Sequence, residues 1–162
     1  MFMRRRTTAE ALLIDAVGEA EDAAAAPVEQ PGRSERPAPA PRPCILLVED
    51  DFLVGMEMET GLEEAGYEVA GVAATAEEAV ALAAERRPAL VVMDIRLASE
   101  RDGVDAALEI YGTLGIRSLF ASAHGDAQVR ARAAAARPLG WVAKPYRVET
   151  LLKAIGSALR EV

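Results

Sequence analysis

The chain has 162 residues, 51% of them hydrophobic, which is enough for one domain with a substantial core, and its longest apolar runs are far too short to span a membrane. Acidic residues outnumber basic residues by 26 to 18, which argues against nucleic acid as the main partner and suits a cation site or basic protein surfaces. Cys44 is the single cysteine, so an intramolecular disulfide is excluded and a cytoplasmic location is the simplest expectation.

The first 43 residues differ in composition from the rest of the chain. Residues 27–43 contain six prolines, and because proline removes a backbone donor and breaks helices, we predict a Pro-rich extended linker there. Residues 1–26 are predicted to be a tail, in which residues 8–26 have the spacing of an amphipathic helix with Thr8 as its cap. We expect this tail to lack stable structure, or to result from a wrongly chosen upstream start codon. The alternative is a helix that docks on a partner.

Strands and helices alternate from residue 44 onward, and we assign residues 44–162 to one domain. Strands are predicted at residues 44–48, 67–73, within 90–97, at 118–121 and at 139–143. Helices are predicted at residues 52–65 with Gly66 as a left-handed cap, from a capping box of Thr75 and Glu78 to Arg87, from Val104 to about Gly115, at residues 127–136 with Asp126 as cap, and from Val148 to Leu159. The fourth helix is mostly alanine, so we expect it to be the most loosely held of the five.

The third predicted strand, in the segment LVVMDIRL at residues 90–97, organises the rest of the domain. Its apolar run has no alternation, which is typical of a parallel strand covered on both faces, and Asp94 lies at its carboxyl end. Five βα units and right-handed crossovers favour a doubly wound, five-stranded parallel sheet of order 2-1-3-4-5. Ligands bind at the carboxyl ends of such strands, so the residues that follow each strand are the candidates for a functional site.

Acidic residues follow two strands that this order makes neighbours. Glu49, Asp50 and Asp51 follow the first strand and are brought against Asp94 at the end of the third. Carboxylates gathered in one crevice repel each other unless a cation lies among them. Oxygen ligands of this kind suit a hard divalent metal, and we predict Mg²⁺.

A hydroxyl and an ammonium follow the other two strand ends, at Ser122 and Lys144. Together with metal-binding acids, these groups can neutralise a phosphoryl group from several sides, as phosphoryl transfer requires. Asp94 is placed centrally enough to be the nucleophile that forms an acyl phosphate. The sequence therefore predicts a phosphoryl-accepting carboxylate.

These segments resemble the receiver domain of bacterial two-component response regulators. The resemblance covers residues 44–159 and is carried, in family order, by the segments ILLVEDD, VVMDIRL, LFASAHGD and WVAKPY. It implies a flavodoxin-like receiver fold and a response regulator that takes a phosphoryl group from a sensor histidine kinase or a histidine phosphotransfer protein. It further implies a signalling protein that is not an enzyme.

The resemblance also implies roles for individual residues. Asp94 would accept the phosphoryl group, and Asp50, Asp94 and the backbone carbonyl of Arg96 would bind Mg²⁺, with Glu49 acting through water. Asp51 is then a surplus acid, which we interpret as a cap for the first helix.

The remaining family positions form the predicted switch. Ser122 would bond a phosphoryl oxygen, and Lys144 would pair first with Asp94 and then with the phosphoryl group, with a cis peptide bond before Pro145. Trp141 occupies the place of the family's switch aromatic, although a residue packed there for structural reasons is the alternative. His124 and Arg96 are interpreted as rim residues that adjust water access.

The chain departs from the family pattern in several ways. The usual proline after the leucine of the third-strand motif is absent, and the following loop is longer. No output domain follows Val162, so we expect a stand-alone receiver that acts through an unknown downstream protein. We expect no nucleic-acid contact and no membrane insertion. Two alternatives remain open. A scaffold receiver would never be phosphorylated, and a haloacid-dehalogenase-like phosphatase would need a second acid where this chain has Arg96.

Overall fold

A computed structural model describes residues 41–123 and 127–162 of the chain. The predicted tail, almost all of the Pro-rich linker, the rim residue His124 and the predicted cap Asp126 lie outside these residues. No helix in the described ranges is both long and apolar enough to cross a membrane.

The sheet has five parallel strands in the order β2-β1-β3-β4-β5, which confirms the predicted topology. The strands are β1 (Cys44–Val48), β2 (Glu68–Ala73), β3 (Leu90–Asp94), β4 (Ser118–Ser122) and β5 (Gly140–Ala143). Every residue of β3 is buried, as the unbroken apolar run predicts for a central strand covered on both faces.

Helices cover both faces of the sheet and divide the core in two. They are α1 (Phe52–Glu64), α2 (Ala76–Arg86), α3 (Gly103–Leu114), α4 (Ala127–Ala133), followed by a 3-10 helix (Ala134–Ala136), and α5 (Val148–Ala158). Leu90 and Val92 of β3 pack with residues of α1 and α5, whereas Val91 and Met93 pack with residues of α2 and α3. Alternation along the strand therefore sends successive side chains to the two helical layers.

Several predicted helix ends are confirmed and others shift by one residue. Gly66 adopts the left-handed conformation after α1, and Gly115 does so after α3. The α2 helix ends at Arg86 rather than Arg87, which is left-handed with φ of 48°. Arg87 precedes a proline, and the residue before proline is disfavoured in the right-handed helical conformation.

One helix cap and one helix end differ from their sequence predictions. The Thr75 hydroxyl accepts from the Glu78 amide at 3.2 Å, but the Glu78 carboxylate accepts from the Ala74 amide rather than from that of Thr75, so the capping box is displaced by one residue. The predicted helix at residues 127–136 becomes 3-10 in its last turn. Ala133 and Ala136 are both buried there, and 3-10 geometry places residues three apart on one face.

Candidate functional site

The carboxyl ends of the strands converge on one cleft of about 720 Å³. Its lining includes the predicted site residues Glu49, Asp50, Asp94, Arg96, Ser122 and Lys144. The parallel order of the sheet explains this, because all strands present their carboxyl ends to the same edge. The structure therefore brings together the acids, the hydroxyl and the ammonium that the sequence indicated.

Lys144 lies between two of the acids. Its Nζ donates to Oδ2 of Asp94 at 2.7 Å and to Oε2 of Glu49 at 2.6 Å. Burial on its own would lower the pKa of Lys144, but the hydrogen bonds from its ammonium to Asp94 and Glu49 outweigh that effect and raise the pKa above its usual value. The ammonium therefore stays charged and neutralises part of the acid cluster.

Glu49 is the most buried of the acids, with only 3% of its surface exposed. Burial raises its pKa, and the negative charge of Asp94 adds to the rise, while the hydrogen bond and charge of Lys144 only partly oppose it. The backbone amide of Asp51 lies 3.4 Å from Oε1 of Glu49 and fixes the other side of the carboxylate. An ionised carboxylate in this place is costly unless more positive charge is supplied.

The acid cluster fits a divalent cation. Glu49, Asp50 and Asp94 each offer one oxygen, and these oxygens all lie within 4.8 Å of one another. Asp50 is exposed and Asp94 is 7% exposed, so the cluster reaches from the interior to the solvent. Hard oxygen donors around a buried excess of negative charge are the ligands that Mg²⁺ takes in proteins. The residues present therefore fit the predicted metal.

Asp51 does not join the cluster. Its Oδ1 accepts from the amides of Leu53 and Val54 at 2.9 and 3.2 Å, and it is the N-cap of α1. The interpretation of Asp51 as a capping carboxylate is confirmed.

The loop after Asp94 is shaped by a glycine that the sequence reasoning did not assign to the site. Oδ1 of Asp94 accepts from the Ile95 amide at 2.6 Å, and the Gly103 amide donates to the Ile95 carbonyl at 2.8 Å. A Cβ atom on Gly103 would overlap the carbonyl oxygen of Asp94. The start of α3 therefore touches the backbone of the central acid. A glycine at the first helical position, directly after the capping Asp102, was the available signal.

Trp141 is half-buried on the α4 side of β5. Its ring stacks on Phe120 with centroids 4.6 Å apart and planes 16° apart, and the Arg130 guanidinium lies 4.6 Å from its centroid. Offset stacking and cation–π contacts both favour this packed position. Ser122 ends the neighbouring strand, and the two strands are paired along their length. The peptide bond between Lys144 and Pro145 is cis, as the family resemblance implied.

Three arginines on α4 and just after it make contacts within the chain. Arg130 lies over Trp141, Arg132 pairs with Asp102, and Arg137 donates to the hydroxyl of Tyr111 at 3.4 Å. All three arginines are nonetheless exposed to solvent. The spacing of residues along α4 could not show which partners α3 offers.

Comparison with known proteins agrees with this geometry. The family model described as response regulator receiver domain matches residues 45–156. The transcriptional regulatory protein PdtaR of Mycobacterium tuberculosis is 35% identical over 71% of this chain, and the chemotaxis protein CheY of Thermotoga maritima is 31% identical over 68% of it. These matches cover 56% of PdtaR and 92% of CheY, so the chain spans little more than half of PdtaR and nearly all of CheY.

Among solved structures, the signal receiver domain of a modulated diguanylate cyclase from Desulfovibrio desulfuricans superimposes with a TM-score of 0.69 at 33% identity, covering 75% of this chain and 96% of that one. The family match includes the ends of β1, β3, β4 and β5, which carry the cleft. The sheet order, the cleft and these matches together show that the chain belongs to the family of response regulator receiver domains.

Proposed function

We propose that this chain accepts a phosphoryl group on Asp94 in a two-component phosphorelay and thereby switches its protein contacts. The observation that carries the proposal is the position of the Lys144 ammonium, which lies between Asp94 and Glu49 in the cleft. An ammonium in this place can balance the charge of the carboxylate before transfer and that of the phosphoryl group afterwards.

The proposed metal is Mg²⁺, held by Asp50, Asp94 and the backbone carbonyl of Arg96, with Glu49 acting through water. When bound, the metal supplies positive charge that offsets the phosphoryl oxygens. The metal and Lys144 together would balance an acid cluster that Lys144 alone balances only in part.

Asp94 itself performs the covalent step. One of its carboxylate oxygens attacks phosphorus, the bond from phosphorus to the donor atom breaks, and the donor leaves with that electron pair, so an acyl phosphate forms without an external oxidant or reductant. The Ile95 amide, which donates to Oδ1, and Lys144, which donates to Oδ2, hold the carboxylate in place. Ser122 is proposed to bond a phosphoryl oxygen once transfer is complete.

The proposed donor is a sensor histidine kinase, a histidine phosphotransfer protein, or both, and the output is contact with a downstream protein. The names of PdtaR and CheY describe regulation of transcription and chemotaxis, and they do not select an output for this chain. A phosphatase of the haloacid-dehalogenase type is disfavoured because Arg96 stands where its second acid is needed. A scaffold receiver is disfavoured because the cleft contains every proposed phosphotransfer group.

Metal dependence of phosphorylation tests this proposal. Incubation with a small phosphodonor and Mg²⁺ should add one phosphoryl group to the intact mass, and chelation of the metal should prevent it, because the acid cluster repels the donor when no cation is bound. The wild-type chain is compared with Asp94→Asn, which should stay unlabelled. An unchanged wild-type mass, or full labelling of Asp94→Asn, contradicts the proposal.

Fluorescence of Trp141 should report the switch. Phosphorylation is expected to draw Ser122 toward the phosphoryl group and to change the packing of the indole against Phe120 and Arg130, with a coupling free energy of about 1 to 3 kcal/mol. Trp141 is the only tryptophan, so intensity should change in the wild type and stay flat in Ser122→Ala. Hydrogen exchange from Ser122 to Trp141 that is identical before and after phosphorylation would contradict a switch in this region and point to α1 as the surface that partners contact.

A further inference from the structure

Arg132 of α4 makes a forked ion pair with the start of α3. Its Nη1 donates to Oδ2 of Asp102 at 2.8 Å, and its Nη2 donates to Oδ1 of Asp102 at 3.0 Å and to Oδ1 of Asp105 at 2.9 Å. The planar guanidinium matches both oxygens of one carboxylate, which gives the contact a fixed direction that a single charge would not impose.

Asp102 is at the same time the cap of α3. Its Oδ1 accepts from the amides of Val104 and Asp105, each at 3.0 Å. Burial alone would raise the pKa of Asp102, but the hydrogen bonds from Arg132 and from these amides outweigh it and hold the pKa below its usual value. Arg132 is therefore attached to an ionised carboxylate that is itself fixed to the first turn of α3.

That first turn contacts the loop that directly follows Asp94, the proposed phosphoacceptor. The Gly103 amide donates to the Ile95 carbonyl, and the Cα of Gly103 is so close to Asp94 that a Cβ would overlap its carbonyl oxygen. The amides of Ile95 and Arg96 lie 2.6 and 3.4 Å from Oδ1 of Asp94. A continuous series of contacts thus leads from Arg132 through the α3 cap to the Asp94 carboxylate.

The α4 helix has little apolar side chain with which to anchor itself. Ala133 is its one buried residue in the described part of the helix, and Val129 is only partly buried against the core. A buried alanine contributes little hydrophobic free energy compared with a leucine or isoleucine. The ion pair of Arg132, together with the cation–π contact of Arg130 on Trp141, therefore helps to fix where α4 lies.

We propose that Arg132 is a positioning residue: acting through Asp102 and the first turn of α3, it holds the loop after Asp94 and couples the position of α4 to the phosphoacceptor. The coupling to phosphorylation rests on the proposed function, whereas the holding of the loop does not. Because coupling between two sites is reciprocal, release of α4 loosens the loop after Asp94, and a change at Asp94 alters how firmly α4 is held.

Hydrogen exchange of the unmodified chain tests the loop-holding part. In Arg132→Gln, the amides of residues 95–104 should exchange about fivefold faster than in the wild type, because the first turn of α3 loses its link to α4. Arg137→Gln is the matched control. It removes the same charge just beyond the 3-10 helix, where the guanidinium contacts the Tyr111 hydroxyl at 3.4 Å, and it should leave these amides unchanged.

Asp102→Asn separates the ion pair from the helix cap. Asparagine keeps a side-chain oxygen that can cap α3 but lacks the charge and the second acceptor for the fork. This variant should show most of the faster exchange of Arg132→Gln, because Arg132 then keeps only its contact to Asp105. Adding Asp102→Asn to Arg132→Gln should add nothing further, since the fork is already lost. Additive effects in the double variant would contradict a shared interaction.

Labelling by a small phosphodonor in the presence of Mg²⁺ tests the coupling part. The initial rate should fall about fivefold in Arg132→Gln and stay at the wild-type value in Arg137→Gln. A purely structural role for Arg132 would raise exchange only within residues 127–133 and leave the labelling rate unchanged, and that result overturns the proposal. If the wild type is not labelled while its loop exchange follows the prediction, the proposed function fails and the loop-holding role of Arg132 stands.

Discussion

Replacing Lys144 with alanine should destabilise the metal-free chain at neutral pH and disconnect phosphorylation from the conformational response. The Lys144 side chain is 22% exposed, while those of Glu49 and Asp94 are 3% and 10% exposed, so its loss leaves two buried carboxylates facing each other. Removing one partner of a fully buried pair costs about 3 to 5 kcal/mol, and the partial exposure of Lys144 reduces our expectation to about 1 to 3 kcal/mol.

The loss of stability in Lys144→Ala should depend on pH in a definite direction. The pKa of Glu49 is already raised in the wild type, and loss of the ammonium raises it further because repulsion from Asp94 is no longer offset. A carboxyl whose folded pKa lies above its unfolded value destabilises the folded state as the pH rises through that range. The deficit of Lys144→Ala relative to wild type should therefore be largest at neutral pH and shrink as the pH falls through the raised pKa of Glu49.

Denaturant unfolding with and without Mg²⁺ measures these effects. Mg²⁺ should still bind Lys144→Ala and recover part of the lost stability, because it neutralises the same carboxylates. The Trp141 fluorescence change on phosphorylation should disappear, and Lys144→Arg should not restore it, since a planar fork does not occupy the space of an ammonium. Lys153→Ala, which removes an exposed lysine of α5, is the control. A Lys144→Ala chain with wild-type stability and a normal fluorescence response would contradict both the charge-balancing role and the coupling role of Lys144.

Gly103→Ala should be among the most damaging single-methyl changes in the domain. The new Cβ would overlap the Asp94 carbonyl oxygen and lie only 3.0 Å from Cγ of Met93, so either α3 or the end of β3 must shift. Overpacking of this kind costs about 1 to 3 kcal/mol or more. The shift also displaces the backbone of a proposed metal ligand, so we expect weaker Mg²⁺ binding together with the loss of stability.

Thermal unfolding compared with Gly112→Ala isolates the steric effect. Gly112 lies on the same helix, is exposed, and has no atom within 4 Å of the position its Cβ would take. That control should stabilise the chain by about 0.5 to 1 kcal/mol through helix propensity alone. Gly103→Ala should melt lower than wild type by roughly 5 to 10 °C. Equal stabilisation of the two variants would show that α3 does not press on Asp94 as described.

The sequence was sufficient for the sheet and for the composition of the cleft, because both follow from local pattern. The unbroken apolar run of β3 identified a central strand, and the alternation of strands and helices selected the sheet order. Once that order is known, the residues after the strand ends must converge, and for this reason the sequence alone predicts that Asp50, Asp94 and Lys144 lie in one cleft.

Contacts between helices were not predictable in the same way. The pairing of Arg132 with Asp102 depends on how α3 and α4 lie against each other, and periodicity along either helix carries no information on that relation. The close approach of Gly103 to Asp94 is also a long-range contact, although its glycine was visible. The last turn of the predicted fourth helix became 3-10 because Arg137 precedes a proline and two buried alanines must share one face.

Location of the phosphoryl group by peptide mass mapping is the most direct test of the central claim. After incubation with Mg²⁺ and a small phosphodonor, we expect one modified peptide, with the group on Asp94, one of the two acids that Lys144 contacts in the cleft. Asp51→Asn should be labelled like the wild type, because Asp51 caps α1. A phosphoryl group found on Asp50 or Asp51, or on no carboxylate at all, would contradict the account.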